Sequence, residues 1–171
     1  VRGRDVTARI DAVPQPFNDV YGNLRFKGQE IFFEDVRGKY GIIPAILNGS
    51  INTQKGYNLT AQVPRATTDE LLKTFDLTSP VPVSGVFQSQ LRITGATDKP
   101  VITGMAQNIQ PVRIDRVNFQ TAQARFTLVK DSLAFNAIRA VPVAGGLVTG
   151  NGRVTFGDNG GVAFDFQGED L

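Results

Sequence analysis

Glu34 with Asp35, and Asp115 with Asp131, are the residue pairs here whose types could do hydrolytic chemistry, since a glycosidase needs only two acidic groups. Each lies beside Arg, Lys or turn residues, which reads as a solvated face and not as a catalytic pair. The 171 residues contain no His and no Cys. Absence of His removes the commonest general base and the usual partner of a Ser or Cys nucleophile. Absence of Cys as well removes thiolate nucleophiles, disulfides, Cys/His zinc sites and iron–sulfur clusters. The run from Asp158 to Asp165 has acidic residues, but its spacing fits neither the EF-hand loop nor the glycine-rich calcium repeat, and a hairpin turn is expected there. Gly145, Gly146, Gly150, Gly152 and Gly157 match no nucleotide fingerprint and open no helix. Asn48-Gly49-Ser50 and Asn58-Leu59-Thr60 match the glycan acceptor pattern, which matters only on a eukaryotic secretory route. The expectation is a protein that is not an enzyme, with no catalytic residue, no metal and no cofactor.

The elements that position these residues follow from hydrophobic periodicity. Period-2 alternation, which gives a strand one apolar face, recurs in Val6, Ala8 and Ile10; Leu24 and Phe26; Ile31 and Phe33; Tyr57, Leu59, Ala61 and Val63; and Phe87, Leu91 and Ile93. It continues through Val101, Thr103 and Met105; Phe126 and Leu128; Leu133, Phe135 and Ala137; Val154 and Phe156; and Val162, Phe164 and Phe166. Residues that tolerate positive φ punctuate these runs at Asn48-Gly49, Lys55-Gly56, Lys130-Asp131, Asn151-Gly152 and Asp158-Asn159-Gly160-Gly161, predicting an antiparallel meander. One helix is expected over Thr68–Phe75: Thr67 and Glu70 have capping-box spacing, and Leu71, Leu72 and Phe75 form an apolar stripe. About two turns of helix are unstable alone, so the stripe must pack on the sheet or plug it. Pro80 and Pro82 then mark Leu77 to Pro82 as a boundary between sub-repeats 1–79 and 80–171 of a single segment.

A shift of 102 positions lays Phe33 on Phe135, Leu24 on Phe126, Phe26 on Leu128, Ile31 on Leu133 and Val36 on Ile138. After one inserted residue, Gly49 meets Gly152, Ile51 meets Val154 and Ala61 meets Phe164. The match lies in apolar parity and turn spacing, and it predicts a structural repeat.

Net charge is +2 with basic residues scattered along the chain, so nucleic acid is not an expected partner. No apolar run approaches the ~20 residues of a membrane-spanning helix. The chain opens on Val1, carries its only Met at position 105 and shows no signal-peptide pattern, and it is read as a segment of something longer. A chain without thiols cannot mispair in an oxidising space, which favours an envelope location.

The stretch Val83–Gly104, a strand ending in Gly95, a short polar link, Pro100, the apolar pair Val101-Ile102 and Gly104, resembles a repeated element of the TamB family. The region from Val117 through Phe126, Leu128, Leu133, Phe135, Gly145 and Gly146 to Gly152 is similar to that family's next unit, and the capped helix is similar to helices of cyanobacterial and chloroplast-type members. The resemblance implies a long, elongated antiparallel β-taco or gutter with an apolar concave face, bridging an inner and an outer membrane in a periplasm or an envelope intermembrane space. It implies movement of phospholipid between the membranes, or support of outer-membrane protein assembly or translocation beside a β-barrel insertase. The inner-membrane anchor and the insertase contact would belong to other parts of the full-length chain. On this reading, Phe33, Leu91, Ile93, Phe126, Leu128, Leu133, Phe135, Val154, Phe156, Phe164 and Phe166 line a groove for acyl chains, which need a continuous apolar track. The alternative is a closed β-sandwich serving adhesion or carbohydrate binding; it should present aromatics on loops, yet the chain has no Trp and only three Tyr.

Overall fold

A computed structural model of the chain describes residues 16–79, 82–156 and 160–170, together with the backbone of 2–8. Ile10, Pro80, Gly157, Asp158 and Asn159 lie outside the described residues, as do the side chains of Val6 and Ala8. The alternating runs form strands β1 (Arg2–Ala8), β2 (Phe17–Lys27), β3 (Glu30–Tyr40), β4 (Ile43–Asn52) and β5 (Gly56–Thr67), followed by helix α1 (Thr68–Thr74). Beyond it come β6 (Val83–Ser84), β7 (Val86–Ala96), β8 (Lys99–Asn108), β9 (Val112–Ile114), β10 (Val117–Val129), β11 (Ser132–Pro142), β12 (Leu147–Thr155) and β13 (Gly161–Glu169).

All thirteen strands belong to one antiparallel sheet whose order is β1-β2-β3-β4-β5-β7-β8-β10-β11-β12-β13, with β6 and β9 paired beside β10. Among the described residues no second sheet packs against it, which sets aside the closed sandwich. Consistent with an open sheet, the accessible surface is 10974 Å², whereas a compact protein of this mass exposes about 8,200 Å².

Two of the expected turns are not turns. Asn48-Gly49 lies inside β4 and Asn151-Gly152 inside β12. Each Asn instead pins a bulge on the neighbouring strand. Asn48 Oδ1 accepts the Asp35 N–H at 2.9 Å and its Nδ2 donates to Asp35 Oδ1 at 3.2 Å, where Asp35 takes φ 49°. Asn151 Oδ1 accepts the Ala137 N–H at 3.2 Å, where Ala137 takes φ 52°. The register shifts between Phe33 and Val36 in the first case and between Phe135 and Ile138 in the second. The positions related by the 102-residue shift therefore carry the same bulge, held by the same kind of side chain.

Helix α1 begins at the expected capping box. The Thr67 hydroxyl accepts the Glu70 N–H at 3.2 Å, and the Glu70 carboxylate accepts the Thr67 N–H at 2.7 Å. That second bond holds the Glu70 carboxyl below the usual carboxylate range. The helix ends one residue earlier than expected, with Phe75 as its C-cap. Its stripe is only half-buried at Leu71 and Leu72; Thr68 and Thr74 are the buried positions, Thr68 bonding the Gly85 carbonyl and Thr74 packing against Gly41 in the β3–β4 turn.

Candidate functional site

Antiparallel pairing places directly opposed residues on the same side of the sheet. Followed strand by strand, the register joins Leu24, Phe33, Gly49, Leu59, Ile93, Ile102, Leu128, Leu133, Val154 and Val162 into one lateral row across ten strands. A second row, two residues along, joins Leu47, Ala61, Leu91, Gly104, Phe126, Phe135, Gly152 and Phe164. Neither row contains a charged side chain.

Ten of the eleven residues read from the sequence as a groove lie on this face. Phe33, Ile93, Leu128, Leu133 and Val154 stand in the first row, and Leu91, Phe126, Phe135 and Phe164 in the second. Phe166 follows Phe164 on the same side, opposite Gly150. The eleventh, Phe156, lies just beyond β12, where its N–H bonds the Asp131 carbonyl at 2.8 Å and its ring stacks on Phe75 of the helix cap at 5.9 Å. One expected run points the other way. Val101, Thr103 and Met105 face outward, and β8 contributes Ile102 and Gly104 to the apolar side, because register with β7 and β10 and not local hydrophobicity sets the parity. Ala137 likewise leaves the face at its bulge, and Ile138 takes the place it would have filled.

Burial divides the face into a tight part over β3 to β5 and an open edge at β13. Leu59 is 2% exposed and Val36 1%, whereas Phe164 and Phe166 are 39% and 57% exposed. The rings form a connected track. Phe126 and Phe135 have centroids 6.4 Å apart, Phe135 and Phe164 5.8 Å, and Phe164 and Phe166 5.6 Å with parallel planes. Glycines make this possible. A Cβ at Gly104 would come within 2.8 Å of the Phe126 ring, one at Gly150 within 2.6 Å of Phe166, and one at Gly152 would enter the ring of Phe164. Each ring lies over a neighbouring strand where no side chain competes. Sequence periodicity missed these floor glycines; glycine alternating with an aromatic partner one strand away was the available signal.

The face is curled inward. Phe75 touches Tyr40 of β3 at 5.8 Å and Phe156 at 5.9 Å. In a flat sheet β3 and β12, seven steps apart in the strand order, would be separated by roughly 34 Å at the usual strand spacing. A single ring reaches both walls only if the sheet wraps around its apolar side, with the α1 cap straddling the opening. Tyr40 in turn meets Phe17 at 5.4 Å, extending the aromatic bridge to β2.

Chemically this face can hold extended apolar matter and little else. Among the described residues no group of three or more acidic side chains is placed to hold a metal ion, and no helix is long and apolar enough to cross a membrane.

Two chloroplastic plant proteins are similar to the chain over most of its length. Protein TIC236 of Arabidopsis thaliana is 29% identical over 185 residues, covering 87% of the chain and 8% of that protein. Protein SUBSTANDARD STARCH GRAIN 4 of Oryza sativa subsp. japonica is 26% identical over 176 residues, covering 85% of the chain and 8% of that protein. The chain thus spans less than a tenth of either relative. No protein-family profile matches it, and no solved structure does.

Proposed function

We propose that the chain is one stretch of a long, TamB-like envelope bridge whose curled apolar face carries phospholipid acyl chains between an inner and an outer membrane, without catalysis. The observation that carries this reading is the uncharged double row spanning the sheet, half-exposed along one side. A closed core would bury such rows completely, whereas a conduit must keep them reachable. Acyl chains match the face because they fill apolar volume and demand no fixed hydrogen bonds. Both relatives are named as chloroplastic, which agrees with an organelle bounded by paired membranes, and their much greater length supports a bridge of which this is a part. The membrane anchor and any contact with a β-barrel insertase fall to other parts of such a chain.

The test is photo-crosslinking in cells from Leu128 and Phe135, with Thr127 and Asn136 of opposite parity as controls. Lipid adducts should form from the first pair and not from the second. Equal labelling of both pairs, or adducts consisting only of polypeptide, removes the assignment.

A further inference from the structure

The opposite face of the sheet carries a separate feature. Two adjoining depressions of about 810 Å³ and 580 Å³ lie there, sharing Met105 and Arg125, and together they cross β4, β5, β7, β8, β10, β11, β12 and β13. Followed along the curled sheet, eight neighbouring strands cover an arc of roughly 34 Å, the contour length of about ten residues of extended polypeptide.

The lining has a definite chemistry. Arg92, Arg125 and Arg139 face the trough, while Asp165 is its one acidic lining residue. None of the three arginines takes part in an ion pair among the described residues; Arg92 only donates to the Asn58 amide oxygen at 3.4 Å. Carboxamides fill the spaces between them, at Gln62, Gln90, Gln123 and Gln167. A carboxamide offers both a donor and an acceptor, as a peptide group does. Phe166 is the one aromatic residue of the lining, and its ring is already stacked on Phe164 of the apolar face, so the trough offers no row of aromatic platforms of the kind on which nucleic-acid bases stack. Positive charge with regularly placed amides and no row of stacking platforms matches one class of occupant.

We propose that this outward trough binds an extended, acidic polypeptide segment, independently of whatever the apolar face carries. The arginines supply the attraction, and the carboxamides satisfy the backbone of the bound strand. The two faces of one sheet would then serve two different ligands.

The test uses the 171-residue chain and a fluorescein-labelled twelve-residue peptide alternating Glu with Ser, followed by anisotropy. Its comparators are a peptide alternating Lys with Ser and a twelve-nucleotide single-stranded DNA. The acidic peptide should bind, weaken as salt rises, and lose at least tenfold in affinity in the triple variant R92E/R125E/R139E. The Lys peptide should not bind the original chain. All three arginines are exposed, so the variant should unfold at the same urea concentration as the original; a milder triple change to Gln replaces it if it does not. Equal binding by original and variant, or DNA binding as tight as peptide binding, overturns the proposal, the latter because it would reduce the trough to an unselective positive field.

Discussion

Gly152 has an ordinary backbone conformation, so its requirement for glycine comes entirely from the Phe164 ring above it. Adding one methyl group in Gly152→Ala should destabilise the chain by about 1–3 kcal/mol, the usual cost of overpacking. Phe164→Ala in the same chain should recover much of that loss. Urea unfolding of the two single variants and the double variant measures it, and strict additivity would show that ring and glycine are uncoupled. The sequence displayed both residues but hid the relation between them. Asn151-Gly152 has the local form of a hairpin turn, and only the register with β11 and β13 reveals a bulge pin followed by a floor position. By contrast, the apolar parity of Phe126, Leu128, Leu133 and Phe135 was legible at once, because a half-buried strand cannot be built otherwise. Val101, Thr103 and Met105 were misread for the converse reason: β8 carries apolar residues on both parities, and its neighbours decide which one faces inward.

Helix α1 shows the same division one level up. Its start was legible because a capping box is a local arrangement, complete within Thr67 to Glu70. Its packing was not, because the two threonines that it buries meet distant backbone, Thr68 at the Gly85 carbonyl and Thr74 at Gly41 of the β3–β4 turn. The Glu70 carboxylate accepts the Thr67 N–H, so its folded pKa lies below the unfolded value of about 4.5. A lowered carboxylate pKa stabilises the helix fully above the unfolded value and withdraws that stability as pH falls through the folded one. Amide exchange across residues 68–74 should therefore accelerate relative to the central strands once pH drops below the ordinary carboxylate range. In Glu70→Gln, which has no charge to lose, the relative rate should stay level over the same interval. An unchanged acid response in that variant would assign the effect to another group.

At the scale of the whole molecule, an accessible surface of 10974 Å², about a third above that of a compact protein of this mass, means that one sheet cannot cover its own apolar side. Small-angle scattering on the monomer should give a radius of gyration above the ~16 Å of a compact chain of this length; that compact value, with a symmetric distance distribution, would mean that the gutter closes in solution. The repeated strands announced an all-β meander, but not the curl, since a sandwich and a gutter need the same alternation. The curl is visible only in the rings of Tyr40, Phe75 and Phe156 meeting across the opening. Strand order along the sheet follows order along the chain, apart from β6 and β9. Most strands find their partner one hairpin away; β7 finds β5 after an excursion through α1 and β6, and β10 finds β8 after a shorter one through β9. Closing such short loops costs little chain entropy, and topologies dominated by nearby pairings fold quickly for their class. A polypeptide built this way can assemble progressively as it emerges from a narrow pore, each arriving segment adding to an edge already in place, without waiting for residues that have yet to cross.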